Sequence, residues 1–569
     1  MPALKIRTSA RAVVLAVVIT PWLVSLASAD TVLADRIAAL STGQPVTVLG
    51  ARLMATRALT DLYASNGHEP VWGSQSLRQQ LLQAIESATR DGLDPRDYHA
   101  EALAQVAYRN SEEFSPGLQA DVDLLLSDAF LMLGSHLLEG KVNPRTIHAE
   151  WRANRRQRDM AQVLQAALAS GDIAASIERL RPGHSDYHRL AEARQSMAQL
   201  MGQPWLPIPP GTIIRPGDQD QRLAEIRRRL EILGDLRPTA GLSGGPAPER
   251  YGPDLETALA RFQARHGLEP DGLIGPATLA AINLLPVERV RQIDDSLERW
   301  RWLPESLGDR FVLVNIAGYE LKLIDRGAEL LNQRVIVGRP YRQTPVFSDQ
   351  IRYLVLNPTW TVPRKLMVED QLPEIIRNPD YLQRLNMKVY QGWGAERRRV
   401  DPDTVDWATL SRNHFPYQLV QSPGPNNALG QIKFMFPNQY DVYLHDTPAR
   451  DLFSRVDRSF SSGCIRVEQP FALAEQLLAG DPRWNRERLL GMVGATEPST
   501  IVLPQPVPVY IQYWTAWVND QGRLQFRNDI YNRDSRLLAQ LRQSHTGDAQ
   551  RLTPASVSLL EQKAPGQKE

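Results

Sequence analysis

Two stretches of this 569-residue chain carry the side chains best suited to covalent chemistry: Asp441-Val442-Tyr443-Leu444-His445-Asp446-Thr447-Pro448 and Ser461-Ser462-Gly463-Cys464-Ile465-Arg466. Cys464 is the only cysteine. A free thiol ionises near pH 8.5, so only a few per cent is thiolate at neutrality, and nucleophilic use needs a nearby base or positive potential. His445 closes an apolar run and offers an imidazole that can take the thiol proton and later return it to a leaving amine. The turn after it, Asp446-Thr447-Pro448, is expected to hold the imidazole at a sheet edge rather than in a core. The residues separating His445 from Cys464 are enough for a loop that folds back and brings the two together.

Gly463 lets the backbone pass close to a substrate, and amides around Cys464 would donate to the oxyanion of a tetrahedral intermediate. Arg466 either offers its fork to a substrate carboxylate or supports the turn. A lone cysteine also reads as a small buried hydrophobe, so residue types alone leave both roles open. His184 and His188 stand four apart, but no nearby Cys or Glu completes a metal site, and none is expected.

The elements that must hold these residues belong to a long chain. Its length exceeds what one core can fill, so two to four domains are expected, and 43% hydrophobic with 23% charged residues is ordinary for a globular protein. Lys5, Arg7 and Arg11 precede an apolar run over 12–26 that ends in Ala27-Ser28-Ala29, the order of a secretory signal peptide cleaved after Ala29. An uncleaved anchor is the alternative, disfavoured by the run's shortness and by Pro21. Losing three cations and no acid takes the formal charge from +1 to −2, which excludes nucleic-acid binding by bulk charge. Exported proteins usually pair their cysteines, so unpaired Cys464 is either inert and buried or chemically employed.

Residues 30–205 read as a helical scaffold or partner-binding domain, with apolar residues at three and four spacing in 77–88 and 124–138. A proline-rich linker, 204–211, leads to a second helical segment over 212–286 and a connecting helix over 287–309 rich in Trp and Arg. From 310 to 504 the period becomes alternating, as in a mainly β domain. It is interrupted over 364–422 by a helical and polar insertion long enough to be a lid, with Arg397, Arg398 and Arg399 either facing an anionic polymer or solvated. A C-terminal strand and helix are expected over 505–543, and a disordered tail over 544–569.

Phe262-Gln263, Gly267-Leu268, Asp271-Gly272, Gly275 and Thr278-Leu279 resemble the small three-helix peptidoglycan-binding domain of bacterial wall enzymes. His445, fifteen residues, then Ser461-Ser462-Gly463-Cys464-Ile465-Arg466 resembles the active-site signature of the L,D-transpeptidases with the YkuD-like catalytic domain. Gly338, Thr344-Pro345-Val346-Phe347, Asn357-Pro358-Thr359-Trp360 and Asn427-Ala428-Leu429-Gly430 look like the same domain. Together they suggest the long, YcbB-like periplasmic form: a multidomain α+β protein with a helical scaffold, a peptidoglycan-binding domain, and a mainly β catalytic domain carrying a helical lid insertion. Ser462 departs from the pattern, standing where many members have a second histidine, so His445 must be the base.

The resemblance implies peptidoglycan 3→3 cross-linking between stem peptides through a Cys464 thioester, with release of D-alanine. It implies Cys464 as nucleophile, His445 as base and acid, and Gly463 in the oxyanion-hole turn. Arg466, Ser461, Ser462, Tyr443, Trp360 and Asn427 are the substrate-binding candidates. No metal or cofactor is expected. Expected partners are the stem peptides and glycan, with other wall synthases or hydrolases meeting the scaffold. An L,D-carboxypeptidase using water, or a non-catalytic wall-binding scaffold, are the competing readings.

Overall fold

The computed structural model describes residues 28–147, 156–237 and 250–543. The signal expected over 1–29, apart from its last two residues, and the tail over 544–569 lie outside the described residues. No helix among the described residues is long and apolar enough to cross a membrane.

The molecule is multidomain α+β. Residues 33–180 supply one helical core, built around the helix Pro116–Glu139. That helix is apolar on nearly every side, as a helix enclosed by others must be. A second helical core spans 208–282. There Gln263 joins the motif residues: its amide donates to Asp271, the Leu273 carbonyl and Thr278, and accepts from Gly272 N–H.

The helix Pro286–Arg301 fastens the domains together. Glu298 and Arg301 are fully buried and paired, and Glu298 also accepts from Val142 N–H (2.7 Å) and the Trp302 indole (3.1 Å). Arg301 reaches across to the Asp91 carbonyl (2.7 Å) and the Tyr187 hydroxyl. The scaffold thus meets the connecting helix through ionic groups that satisfy one another. The helix Ser185–Gln199, expected to belong to the scaffold, touches the scaffold's turn at 88–91 through Tyr187 and also packs with the connecting helix and the catalytic core.

Eight strands form a hydrogen-bonded ring: β1 (Arg310–Asn315), β2 (Glu320–Asp325), β3 (Ala328–Gly338), β4 (Phe347–Leu356), β5 (Ile432–Met435), β6 (Leu444–His445), β7 (Ile465–Val467) and β8 (Ser499–Gln512). Their order is β3-β7-β6-β5-β4-β8-β1-β2, and β2 pairs back onto β3, which closes the circuit; a ninth short strand, Ser459–Ser461, lies parallel to the end of β3. β8 crosses the boundary expected at 504. Its prolines Pro504 and Pro506 fall in the irregularity between Val502 and Val507, where pairing with β4 is interrupted, so they remove no ladder bond.

The insertion is more than helix and loop. The strands Trp360–Thr361, Met387–Gln391, Arg398–Val400 and Tyr417–Gln421 form a sheet of four, closed over a core that includes Val362, Met367, Leu372, Val389 and Leu419. The segment is therefore a small subdomain. Arg398 and Arg399 lie exposed on its edge strand, and Arg397 stacks on Tyr390 at 4.5 Å.

Replacing Glu298 by Ala leaves Arg301 buried without its carboxylate, and should cost about 3–5 kcal/mol. Urea denaturation of Glu298→Ala against wild type measures this; a loss below ~1 kcal/mol would show that the hub is not holding the domains.

Candidate active site

The site grows out of strand pairing. β6 lies parallel to β7, with Leu444 opposite Ile465 and His445 opposite Arg466, and antiparallel to β5, with Lys433 opposite His445. Successive residues of a strand point to opposite faces. Leu444, Ile465 and Phe434 enter the core, so His445, Arg466 and Lys433 share the outer face. Tyr443 and Cys464, two residues before His445 and Arg466, stand in the next row of that face.

The turn that carries Cys464 is tightly braced. Gly463 has φ +120°, a conformation other residues resist. Ser461 Oγ donates to the Cys464 carbonyl (2.5 Å) and accepts from Gly463 N–H (3.1 Å). Thr344 Oγ1 donates to the Gly463 carbonyl (2.8 Å) and accepts from Gly338 N–H (2.9 Å). A Cβ at Gly338 would collide with the backbone of Arg342 and Thr344, so glycine is required there. Behind this loop Tyr531 donates to the Gly338 carbonyl (2.6 Å) and receives Thr344 N–H, while Arg533 donates to the Thr344 carbonyl. The C-terminal segment, unplaced by sequence reasoning, thus supports the turn from behind.

His445 is buried on the outer face of a strand paired on both sides, not at a sheet edge as the turn after it suggested. Its Nδ1 donates to the Asp446 carbonyl (2.5 Å). Asp446 is itself clamped, accepting from Gln431 N–H (2.9 Å) and Arg450 (2.6 Å). With Nδ1 as donor, Nε2 is the ring's free lone pair. Burial, Arg466 and Lys433 together hold the imidazole down to about 3, so it is neutral across the physiological range.

The half-buried Cys464 thiol donates to the Asp441 carbonyl at 3.6 Å and meets the Tyr443 hydroxyl. Burial pushes it up to about 11, outweighing the Tyr443 contacts and the Arg466 charge. Among the described residues no hydrogen bond joins thiol and imidazole. They are diagonal neighbours on one face, a placement of about 7–8 Å between backbones that side chains span. At rest the proton is on sulfur and the imidazole is neutral.

Of the other expected site residues, Tyr443 and Arg466 are on this face. Ser461 is buried and fully engaged in the turn, so it positions Cys464 rather than binding substrate. Asn427 is corrected in the same way: it is buried, its amide donates to the Pro358 and Ser422 carbonyls, and its oxygen accepts from Leu429 N–H. Trp360 packs against the insertion's own core. Ser462 is exposed, and its hydroxyl meets Arg342 at 3.1 Å instead of the thiol. Arg342 also grips Asp370 (2.5 and 2.7 Å) and Glu369 (2.9 Å) of the insertion. Those two acids sit in a π-helical turn, Met367–Gln371, a distortion that recurs at functional positions. Sequence reasoning missed Arg342, Thr344, Tyr531 and Lys433; only Thr344 carried a signal, as part of the Thr344-Pro345-Val346-Phe347 resemblance.

Residues 309–484 match the family model described as "L,D-transpeptidase catalytic domain". They are a YkuD-type L,D-transpeptidase domain. Residues 219–282 match "Putative peptidoglycan binding domain" and 57–193 match "Scaffold domain". A curated relative from Haemophilus influenzae, "Putative L,D-transpeptidase", is 36% identical over 240 residues, covering 42% of this chain and 47% of its own, so the chain spans about half its length. A solved L,D-transpeptidase from Stackebrandtia nassauensis is 14% identical, with 53% of this chain and 96% of that chain covered and a TM-score of 0.21. One from Mycobacterium smegmatis is 12% identical, with 36% and 58% covered and a TM-score of 0.18. Likenesses this loose say nothing of activity.

The resting state of the L,D-transpeptidase domain makes its thiol a poor nucleophile toward small alkylating reagents. Because Cys464 is the sole cysteine, iodoacetamide labelling followed by intact mass reads it alone. The rate should keep climbing from pH 7 beyond pH 9, as expected for a thiol near 11. A plateau reached by pH 7 would mean a preformed thiolate–imidazolium pair.

Proposed function

We propose that the chain is an exported peptidoglycan L,D-transpeptidase that forms 3→3 cross-links through a Cys464 thioester. One arrangement carries the reading: a thiol, a neutral imidazole with its Nε2 free, and a tyrosine hydroxyl share one outer face of an L,D-transpeptidase domain. The adjoining match to a peptidoglycan-binding domain supports cell-wall substrate and, with it, a periplasmic location.

In this reading Cys464 Sγ attacks the carbonyl carbon of the third residue of a donor tetrapeptide as its proton passes to His445 Nε2. The Asp446 carbonyl, hydrogen-bonded to Nδ1, stabilises the imidazolium that forms. The Tyr443 hydroxyl and the Cys464 amide receive the developing oxyanion, while the Gly463 amide stays bound to Ser461 and holds the turn. The C–N bond then breaks, the imidazolium protonates the departing amine, and D-alanine leaves. The side-chain amine of a second stem attacks the thioester, gives up a proton to His445, and restores the thiol. Splitting the amide exchange at a thioester replaces one high barrier with two lower ones. Nothing in these steps calls on a metal or cofactor. The same nucleophile would open a carbapenem ring, leaving an adduct on Cys464.

Mass spectrometry of disaccharide-tetrapeptides incubated with the protein tests this. Wild type should give cross-linked dimers with loss of D-alanine, while Cys464→Ala and His445→Ala should fall by at least about a thousandfold, the scale lost with a member of a nucleophile–base unit. Tripeptides without dimers would identify a carboxypeptidase, and no product from folded wild type would leave only a binding scaffold.

The contacts of Arg342 with Ser462, Glu369 and Asp370 tie the insertion to the nucleophile turn. If the insertion excludes water from the thioester, Arg342→Gln should raise the tripeptide-to-dimer ratio several-fold. An unchanged ratio would remove the insertion from acceptor choice.

A further inference from the structure

One row of side chains crosses the outer face of the ring through His445. Pairing of β3, β7, β6, β5 and β4 sets Ile336, Arg466, His445, Lys433 and Val355 side by side. The imidazole therefore has a cation on each side, one strand away, at about 4.8 Å between strands.

Neither cation is matched by an acid. Among the described residues Arg466 makes no ion pair or side-chain hydrogen bond, and its Nε is buried without a partner. Lys433 makes none either; its ammonium lies 5.6 Å from the centre of the Tyr443 ring, which positions it without neutralising it. The Arg339 guanidinium, whose charge is felt at Arg466, meets the Tyr341 hydroxyl and makes no ion pair among the described residues. Asp441 is felt at the thiol and at Tyr443, but not at Lys433 or Arg466. Half-buried cations without partners are costly to keep, and burial presses both Lys433 and Arg466 toward the neutral form. Ordinary folding would pair them or leave them in water. An anion that arrives with the substrate resolves this.

The position of that anion follows from the chemistry. His445 must deliver a proton to the departing amine, so the leaving residue lies over the imidazole. Its α-carboxylate is two bonds from that nitrogen. We infer that Lys433 and Arg466 together receive the terminal carboxylate of the leaving residue, so that the enzyme selects donor stems ending one residue beyond the scissile bond. Lys433 is then a specificity-determining residue, and the inference rests on the reading of Cys464 as nucleophile and His445 as base.

The same geometry links recognition to catalysis. In the free enzyme the positive flanks disfavour an imidazolium, as do burial and the absence of an acid against the ring; the Asp446 and Leu429 carbonyls pull the other way. A carboxylate seated between Lys433 and Arg466 cancels the flanking charge and makes His445 a stronger base once a correct donor is in place.

The test uses the full-length chain and two donors, a tetrapeptide with a free terminal carboxylate and the same peptide with that carboxylate amidated. Wild type should favour the free acid by about tenfold to a hundredfold in kcat/KM, the scale of a hydrogen bond to a charged group. Lys433→Gln should collapse that ratio mainly through KM, and Lys433→Arg should restore most of it. Lys433→Gln should also shift the acid limb of kcat/KM upward, since the free imidazole loses one of its cations. If Lys433→Gln slows both donors equally and leaves their ratio as in wild type, Lys433 does not read the carboxylate. If folded wild type turns over neither donor, the nucleophile reading fails first and this inference falls with it.

Discussion

The site depends on the parallel pairing of β6 with β7. The two strands are only two and three residues long, yet their register decides which side chains meet. With Leu444 and Ile465 held in the core, period-two alternation leaves His445, Arg466, Tyr443 and Cys464 no choice but the outer face. A slip of one residue would carry the thiol and imidazole inward and bring apolar groups out. That slip is opposed at many points: by core burial of both strands, by the Ser461 and Thr344 hydroxyls on the turn, and by ring closure through β2 and β3. Chemistry on two short strands is precise here because the surrounding structure fixes their register.

Support for that register comes from distant sequence. Tyr531 and Arg533 hold the loop that carries Gly338 and Thr344, and Tyr531 N–H is itself bound to the Tyr513 hydroxyl, which donates to Asp529. The connecting helix joins this segment through the buried Arg299–Asp534 pair at 2.7 Å, and joins the scaffold through Glu298 and Arg301. Contacts thus run without a break from the Cys464 turn to the scaffold.

The domain order, and the thiol and imidazole that come to share one face, were legible because they rest on residue type and spacing: one cysteine, a histidine at a strand end, a glycine before the thiol. A residue in a motif can serve the fold as well as the reaction: the hydrogen bonds of Asn427 are all spent on backbone groups, whereas half-buried Trp360 packs on the insertion's core. The insertion's sheet was hidden because its strands are short and separated by turns, so no window holds enough alternation. Pro504, Pro506 and Pro508 disguised β8, since proline normally argues against a strand; the first two fall in the register irregularity between Val502 and Val507. Lys433 was invisible for a different reason. A lysine alternating with apolar residues reads as a solvated face, and only the pairing with His445 shows what it stands beside.

Ser462 gains a different meaning from that of a missing histidine. A second imidazole beside the thiol would be a titratable group; the hydroxyl found here instead engages Arg342, which holds two acids of the insertion. A histidine at this position would place a further proton donor near a face that already carries Arg466 and Lys433, and its protonation would repel them. With serine, the turn is neutral and its neighbour is committed to the insertion. The charges felt at the thiol are then those of Arg466, Lys433 and Asp441, and Arg342 ties the insertion to the turn beside it. The two tasks rest on different contacts: Arg342 ties the insertion to Ser462, while Ser461 and Thr344 keep Cys464 in place.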